Sequence, residues 1–264
     1  MLTIDTHCHA SLQWFEPIEV LLFLMDRNTV DKAVLIQHLG QYDNRYLLEC
    51  VHRFPGRFAA VAMVDTSQPE APETLVRWAA AGAMGVRLRP MERSPGKDPI
   101  AIWRKASELG MIVSCFGTRE EYASDEFRKL VEELPNLCII IEHLGFVGRD
   151  VQPPYTTYRN ILALSKCHNV YMKVHGLGEL MLRPRPARSP PFELNKVPPF
   201  IDMAFEAFGA NRLMIGTDHP RASAKEGYGN VVRYLREYLS RRSTAEQESI
   251  FGKTAALLFK LEES

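Results

Sequence analysis

The chain has 264 residues, 46% of them hydrophobic and 24% charged, with 32 basic side chains balanced by 32 acidic ones. That balance excludes a global field that would gather nucleic acid or an anionic membrane, and no apolar run approaches the ~20 residues needed to cross a bilayer. One domain over 1–264 suits the length, because single α/β barrels run to roughly 250 residues.

The first apolar segment, Leu2 to Cys8, reads as a strand with no basic and apolar leader ahead of it, so a cytoplasmic protein is expected. It runs into Asp5-Thr6-His7-Cys8-His9. Side chains two apart on a strand share a face, so His7 and His9 can converge on one metal ion or reacting group; a solvated surface pair is the alternative. Helical spacing follows at Glu16 to Arg27, then a strand at Ala33 to Gln37, a helix at Tyr42 to His52 and a strand at Phe58 to Val64. Pro72 to Ala81 precedes the strand Met84 to Leu88, and Ile100 to Leu109 precedes Met111 to Phe116. Asp125 to Leu134, with Phe127, Leu130, Val131 and Leu134 on one face, leads to Leu137 to Glu142. The last two strands are Val170 to Val174 and Leu213 to Gly216, with Pro199 to Phe208 between them.

Eight apolar strands separated by helices predict a parallel sheet covered on both faces, closed into a (β/α)₈ TIM barrel. An open doubly wound sheet is the competitor, but no glycine-rich phosphate loop follows the first strand. Gly227 to Leu239, Ser243-Thr244-x-Glu246 as a cap, and Gly252 to Leu261 predict extra C-terminal helices outside or under the barrel. The run from Arg183 to Pro191 contains too many prolines for a helix, so it reads as a solvated loop or as a substrate lid carrying Arg183, Arg185 or Arg188. Cys8, Cys50, Cys115, Cys138 and Cys167 form no C-x-x-C pair and read as reduced structural residues.

Reactive groups of such a barrel gather at the C-terminal ends of its strands. There the sequence places His7 and His9, Arg87 and Arg89, His143, Lys173 and His175, and Asp218. Each has a plain structural reading: His143 bonding a carbonyl, Asp218 capping a turn, the cations pairing with Asp5, Asp65 or Glu142. Together they predict a site in which Arg87, Arg89, Lys173 and His175 line the interior, with guanidinium suited to a substrate carboxylate.

The segments Ile4 to His9, Gly85 to Arg89, Ile141 to Gly145, Asn169 to Gly176, Arg212 to Pro220 and Phe251-Gly-x-x-Ala255 resemble, in order, the amidohydrolase superfamily. The similarity is to its amidohydrolase-2 branch of lactonases and aminocarboxymuconate semialdehyde decarboxylases. The resemblance implies one divalent metal, zinc, held by His7, His9 and Asp218, with His143 beside it and Asp218 taking a proton from the attacking water. Two departures stand out: Ser114-Cys115-Phe116-Gly117 replaces the frequent fifth-strand histidine, and no lysine ends the fourth strand to bridge two metals. A dinuclear site is therefore not expected. The expected activity is hydrolysis of a small lactone or ester-like substrate, anionic or hydroxylated, with a metal-dependent decarboxylase and a non-catalytic barrel that keeps a ligand pocket as rivals. A homodimer is expected only from general frequency.

Overall fold

Each of the eight apolar runs forms a short strand, because its alternate residues find two separate apolar surroundings. The computed structural model describes residues 1–183, 192–221 and 225–262, so Arg185 and Arg188 lie outside the described residues. The strands are β1 (Ile4–Cys8), β2 (Lys32–Ile36), β3 (Phe58–Ala62), β4 (Gly85–Leu88), β5 (Ile112–Cys115), β6 (Ile139–Ile141), β7 (Val170–Val174) and β8 (Leu213–Ile215). All pair in parallel and in chain order. Closure comes from a parallel bridge of Cys8 to His219, with Asp218 N–H donating to His7 O at 2.8 Å and His9 N–H to His219 O at 2.8 Å. The fold is the (β/α)₈ barrel expected from the sequence.

Around it lie α1 (Ile18–Arg27), α2 (Arg45–Arg53), α3 (Ala71–Ala80), α4 (Ala101–Glu108), α5 (Arg119–Tyr122), α6 (Asp125–Glu133), α7 (Thr156–Leu162), α8 (Phe200–Phe208) and α9 (Tyr228–Leu239). Local chemistry sets their ends. Ser124 accepts from Phe127 N–H to start α6, and α8 stops at Gly209, whose φ of +70° suits glycine. The expected cap at Ser243 is a full capping box with Glu246 and opens α10 (Thr244–Glu248). α11 (Thr254–Phe259) follows. Among the described residues no helix is long and apolar enough to cross a membrane.

The strands divide their apolar residues cleanly. Val86, Leu88, Val113, Ile139, Ile141, Met172 and Val174 pack outward with the helices, while Ile4, Val34, Ile36, Ala59, Val61, Ile112, Ile140 and Met214 form an inner layer. That inner layer rests on Ala255, Ala256, Phe259 and Leu261. The last helix therefore floors the barrel, which decides between the two placements, outside or under, that the sequence left open.

Candidate active site

Strict alternation from the inward Ile4 would turn His7 and His9 outward. A bulge prevents this: Asp5 pairs with Ala33 but Cys8 with Leu35, so β1 carries one extra residue between them. Parity flips, Cys8 joins the outer cluster, and both imidazoles face the barrel axis. Asp5 secures the irregular segment. Its carboxylate accepts from Thr217 N–H at 2.8 Å, Thr217 Oγ1 at 2.6 Å, Cys8 Sγ at 2.9 Å and His7 N–H at 3.2 Å. Gly216 leaves room opposite, since a Cβ there would stand 2.9 Å from His7 Cβ.

Above the apolar inner layer, the next inward positions of β4 to β7 form a buried polar one. Arg87 donates to both oxygens of Glu142, from Nε at 3.0 Å and Nη2 at 2.7 Å, and from Nη1 to Gln37 O at 3.1 Å. Ser114 Oγ donates to Glu142 Oε1 at 2.7 Å and accepts from Lys173 Nζ at 2.9 Å, and Lys173 Nζ stands 3.2 Å from His7 Nδ1. Lys173, expected as a substrate anchor, is fully buried beneath His7. Arg87 has the Glu142 partner that the plain reading offered. Arg89 is 45% exposed at the rim and pairs with Glu121. His175 lies buried with Nδ1 2.9 Å from Gly176 O.

The mouth holds the remaining groups. His7 Nε2 and His9 Nε2 approach Asp218 Oδ1 at 3.7 and 3.3 Å, and the His7 and His143 ring centroids are 4.3 Å apart. His9 Nδ1 lies 2.7 Å from Ile36 O, which holds the ring so that Nε2 faces the acid. His7 Nε2 and His143 Nδ1 are buried without a hydrogen-bond partner among the described residues. Ligand atoms of His7, His9 and Asp218 lie within 4.8 Å of one another, as do those of His7, Glu142 and His143. Two imidazoles and a carboxylate, one imidazole nitrogen being orphaned, fit a divalent ion.

Two of these groups sit on strained backbone. His143, Leu144, Gly145 and Phe146 have φ of 49, 53, 65 and 58°, a left-handed turn directly after Glu142, and Asp218 has φ of 57°. Left-handed backbone costs ~1–2 kcal/mol per non-glycine residue, so the packing around both must enforce it. Gly145 is locked against Ile161, whose methyls would stand 3.0 and 3.1 Å from an added Cβ.

Burial and charge compete in this small volume. Burial pushes His143 down to about 4, against the pull of Asp218 and Glu142, and lowers His7 well below its usual value, helped by the Lys173 charge. Lys173 falls to about 8 through burial, partly offset by Glu142. For Glu142 burial acts upward but is outweighed by the Arg87 and Lys173 charges and the Arg87 bonds, giving about 2. Asp218 also reaches about 2: burial acts upward, and the His9 bond and the charges of His143, His9 and Arg221 overcome it. His7 and His143 are thus neutral, and Glu142 and Asp218 ionised, near neutral pH.

Beside Asp218 opens a cavity of about 160 Å³, with Phe116, Phe146, His143, His175 and Arg221 in its lining. This is below the roughly 300–1,000 Å³ typical of drug-sized sites. Sequence reasoning did not name Ser114 as part of a network, nor Phe116, Phe146 or Arg221. Ser114 and Phe116 share the inward parity of Ile112 within the predicted strand, a usable signal; Phe146 and Arg221 lie beyond the strand ends, where periodicity is silent.

Residues 4–261 match the amidohydrolase family. The chain belongs to that family. This amidohydrolase is 25% identical over 228 residues to an L-fucono-1,5-lactonase of Burkholderia ambifaria, covering 80% of this chain and 72% of that one. In fold it resembles a Pseudomonas putida protein provisionally named 2-pyrone-4,6-dicarboxylic acid hydrolase, with TM-score 0.78, 24% identity and full coverage of both chains. It also resembles a zinc-bound amidohydrolase of Burkholderia multivorans, with TM-score 0.79, 21% identity, and 99% and 100% of the two chains covered.

Proposed function

We propose that this amidohydrolase opens a small lactone or ester-like C–O bond by attack of an activated water. The observation that carries the reading is the convergence of His7, His9, His143 and Asp218, brought from β1, β6 and β8 to one mouth. Asp218, held as the carboxylate, is the general base; once protonated, the same group returns the proton to the departing alkoxide. His143 and His175 present neutral imidazoles toward the carbonyl oxygen and orient it. Arg89 meets substrate at the rim, while Arg87 and Lys173 act from below by fixing Glu142 and His7. His7, His9 and Asp218 would hold a divalent ion, zinc by the chemistry of the donor set. When bound, zinc lowers the pKa of a bound water from 15.7 toward ~7 and polarises a carbonyl.

The lactonase named among the relatives supports this reading, and so does the small mouth, which suits a compact ring. The deciding experiment is acid release from a panel of aldono-1,5-lactones and unsaturated lactones. Wild type is expected to turn over, and Asp218→Asn to lose about 10²–10⁴-fold, the usual worth of a general base. Carbon dioxide release from unsaturated dicarboxylates in place of acid release from lactones establishes the decarboxylase instead. Equal rates for wild type, Asp218→Asn and His143→Ala indicate a binding barrel without catalysis. Elemental analysis of untagged protein reads the metal directly, and chelation is expected to lower the rate at least tenfold.

A further inference from the structure

Three cations line the cavity beside Asp218: Arg87, Arg221 and Lys225. Arg87 is committed to Glu142 on two bonds and to Gln37 O on a third. Lys225 pairs with Glu179. Arg221 differs from both. It is 62% exposed, its Nε stands 3.9 Å from Asp218 Oδ2, beyond hydrogen-bond reach, and among the described residues no acid accepts a bond from it. Its guanidinium donors are therefore open at the edge of a site whose base is itself anionic.

That placement has a consequence for recognition. An anionic substrate approaching Asp218 meets a like charge, and like charges brought into one small cavity repel. A cation flanking the base offsets this and offers a planar fork matched to a carboxylate. Phe116 and Phe146, packed edge to face at 5.0 Å, line the same cavity together with Val147, so part of its wall is apolar.

We propose that Arg221 is the specificity-determining residue of this site and selects substrates bearing a carboxylate over neutral ones. The inference rests on the hydrolase reading for the word substrate, but the anion site stands on geometry of its own. Arg221 is the anion contact, and Arg89, tied to Glu121, contributes less.

Calorimetric titration of the full chain tests it, with isophthalate as the probe and isophthalamide as its uncharged counterpart, at pH 7.5 and low salt. Wild type is expected to bind the dianion at least tenfold more tightly than the diamide. Arg221→Gln is expected to erase that preference, and Arg221→Lys to restore part of it, since a point charge replaces the fork. Because Arg221 is largely exposed, an unchanged melting temperature is expected and shows that the variants are folded. Equal preference in wild type and Arg221→Gln, or a wild type that does not prefer the dianion, overturns the proposal. Acid release from lactones reports separately. A chain that binds isophthalate through Arg221 yet releases no acid keeps its anion site and loses the hydrolase reading.

Discussion

Glu142 receives Arg87 on both oxygens and Ser114 on one, in an interior where its carboxylate has no solvent. Glu142→Gln leaves the Arg87 charge buried without its counter-ion, and breaking a buried pair from one side costs about 3–5 kcal/mol. Urea unfolding is expected to show that loss, and the double replacement Arg87→Met with Glu142→Leu to lose less than the two singles together. Gly216→Ala acts on a different term. With its Cβ 2.9 Å from His7 Cβ, the imidazole must shift, and lactone turnover is expected to fall at least tenfold while unfolding changes little by comparison. Single residues were read from the sequence with uneven success for a physical reason. His7 and His9 share a face as any i, i+2 pair does, but which face depends on the β1 bulge, an irregularity that apolar alternation does not encode. Arg87 was placed inward correctly by parity; that Glu142 meets it across two strands is a matter of register, which lies between chains of residues and not within one.

Between elements, the segment after β7 and the start of α9 meet over a single buried acid. Glu226 accepts from Gly178 N–H at 2.8 Å, its other oxygen is buried without a partner among the described residues, and Gly176 provides the space, since a Cβ there would come within 2.0 Å of Oε1. Burial raises its carboxyl from 4.5 to about 7, reinforced by Glu179 and opposed by the Gly178 bond and Lys225. A carboxyl whose pKa is higher folded than unfolded favours the fold while protonated. Its contribution is complete below 4.5 and is lost as pH rises through about 7, a change of about 3 kcal/mol at 1.36 kcal/mol per pH unit. Glu226→Gln keeps an oxygen for Gly178 and removes the titration. It is expected to melt higher than wild type at pH 8 and equally at pH 4.5, and identical melting curves at both pH values would contradict the assignment. Of the helices, α10 was legible from a local cap, Ser243 with Glu246, and α6 from its apolar face, to which the structure adds the cap at Ser124. The left-handed turn at His143 to Phe146 was not, since only one of its four residues is glycine and the conformation is imposed by packing.

Over the whole molecule, the barrel was visible in the sequence because each strand is buried on both faces and so reads as a continuous apolar run, while its outer helices alternate with a 3.6-residue period. The site was visible to the extent that it occupies strand ends, a position fixed by topology. What the pattern left open is how a ring of eight strands is closed at its base, for α11 carries the same apolar spacing whether it lies beside the barrel or beneath it. The structure puts Phe259, Ala255 and Ala256 against Ile4, Val34, Ala59 and Met214, so the C-terminal segment completes the inner layer from below while the chemistry collects above it. Gly252 permits the approach, since a Cβ there would stand 2.4 Å from Leu2 O. The two ends of the barrel are thereby separable. Phe259→Ala empties a large side chain from the floor, and such truncations cost about 3–5 kcal/mol, the transfer term plus the cavity left behind. Because the apolar layer and then the buried layer of Arg87, Ser114, Glu142 and Lys173 lie between Phe259 and the mouth, lactone KM at 20 °C is expected to stay within about twofold of wild type while the urea midpoint falls. A large rise in KM with an unchanged midpoint would place the C-terminal helix in the site and not under it.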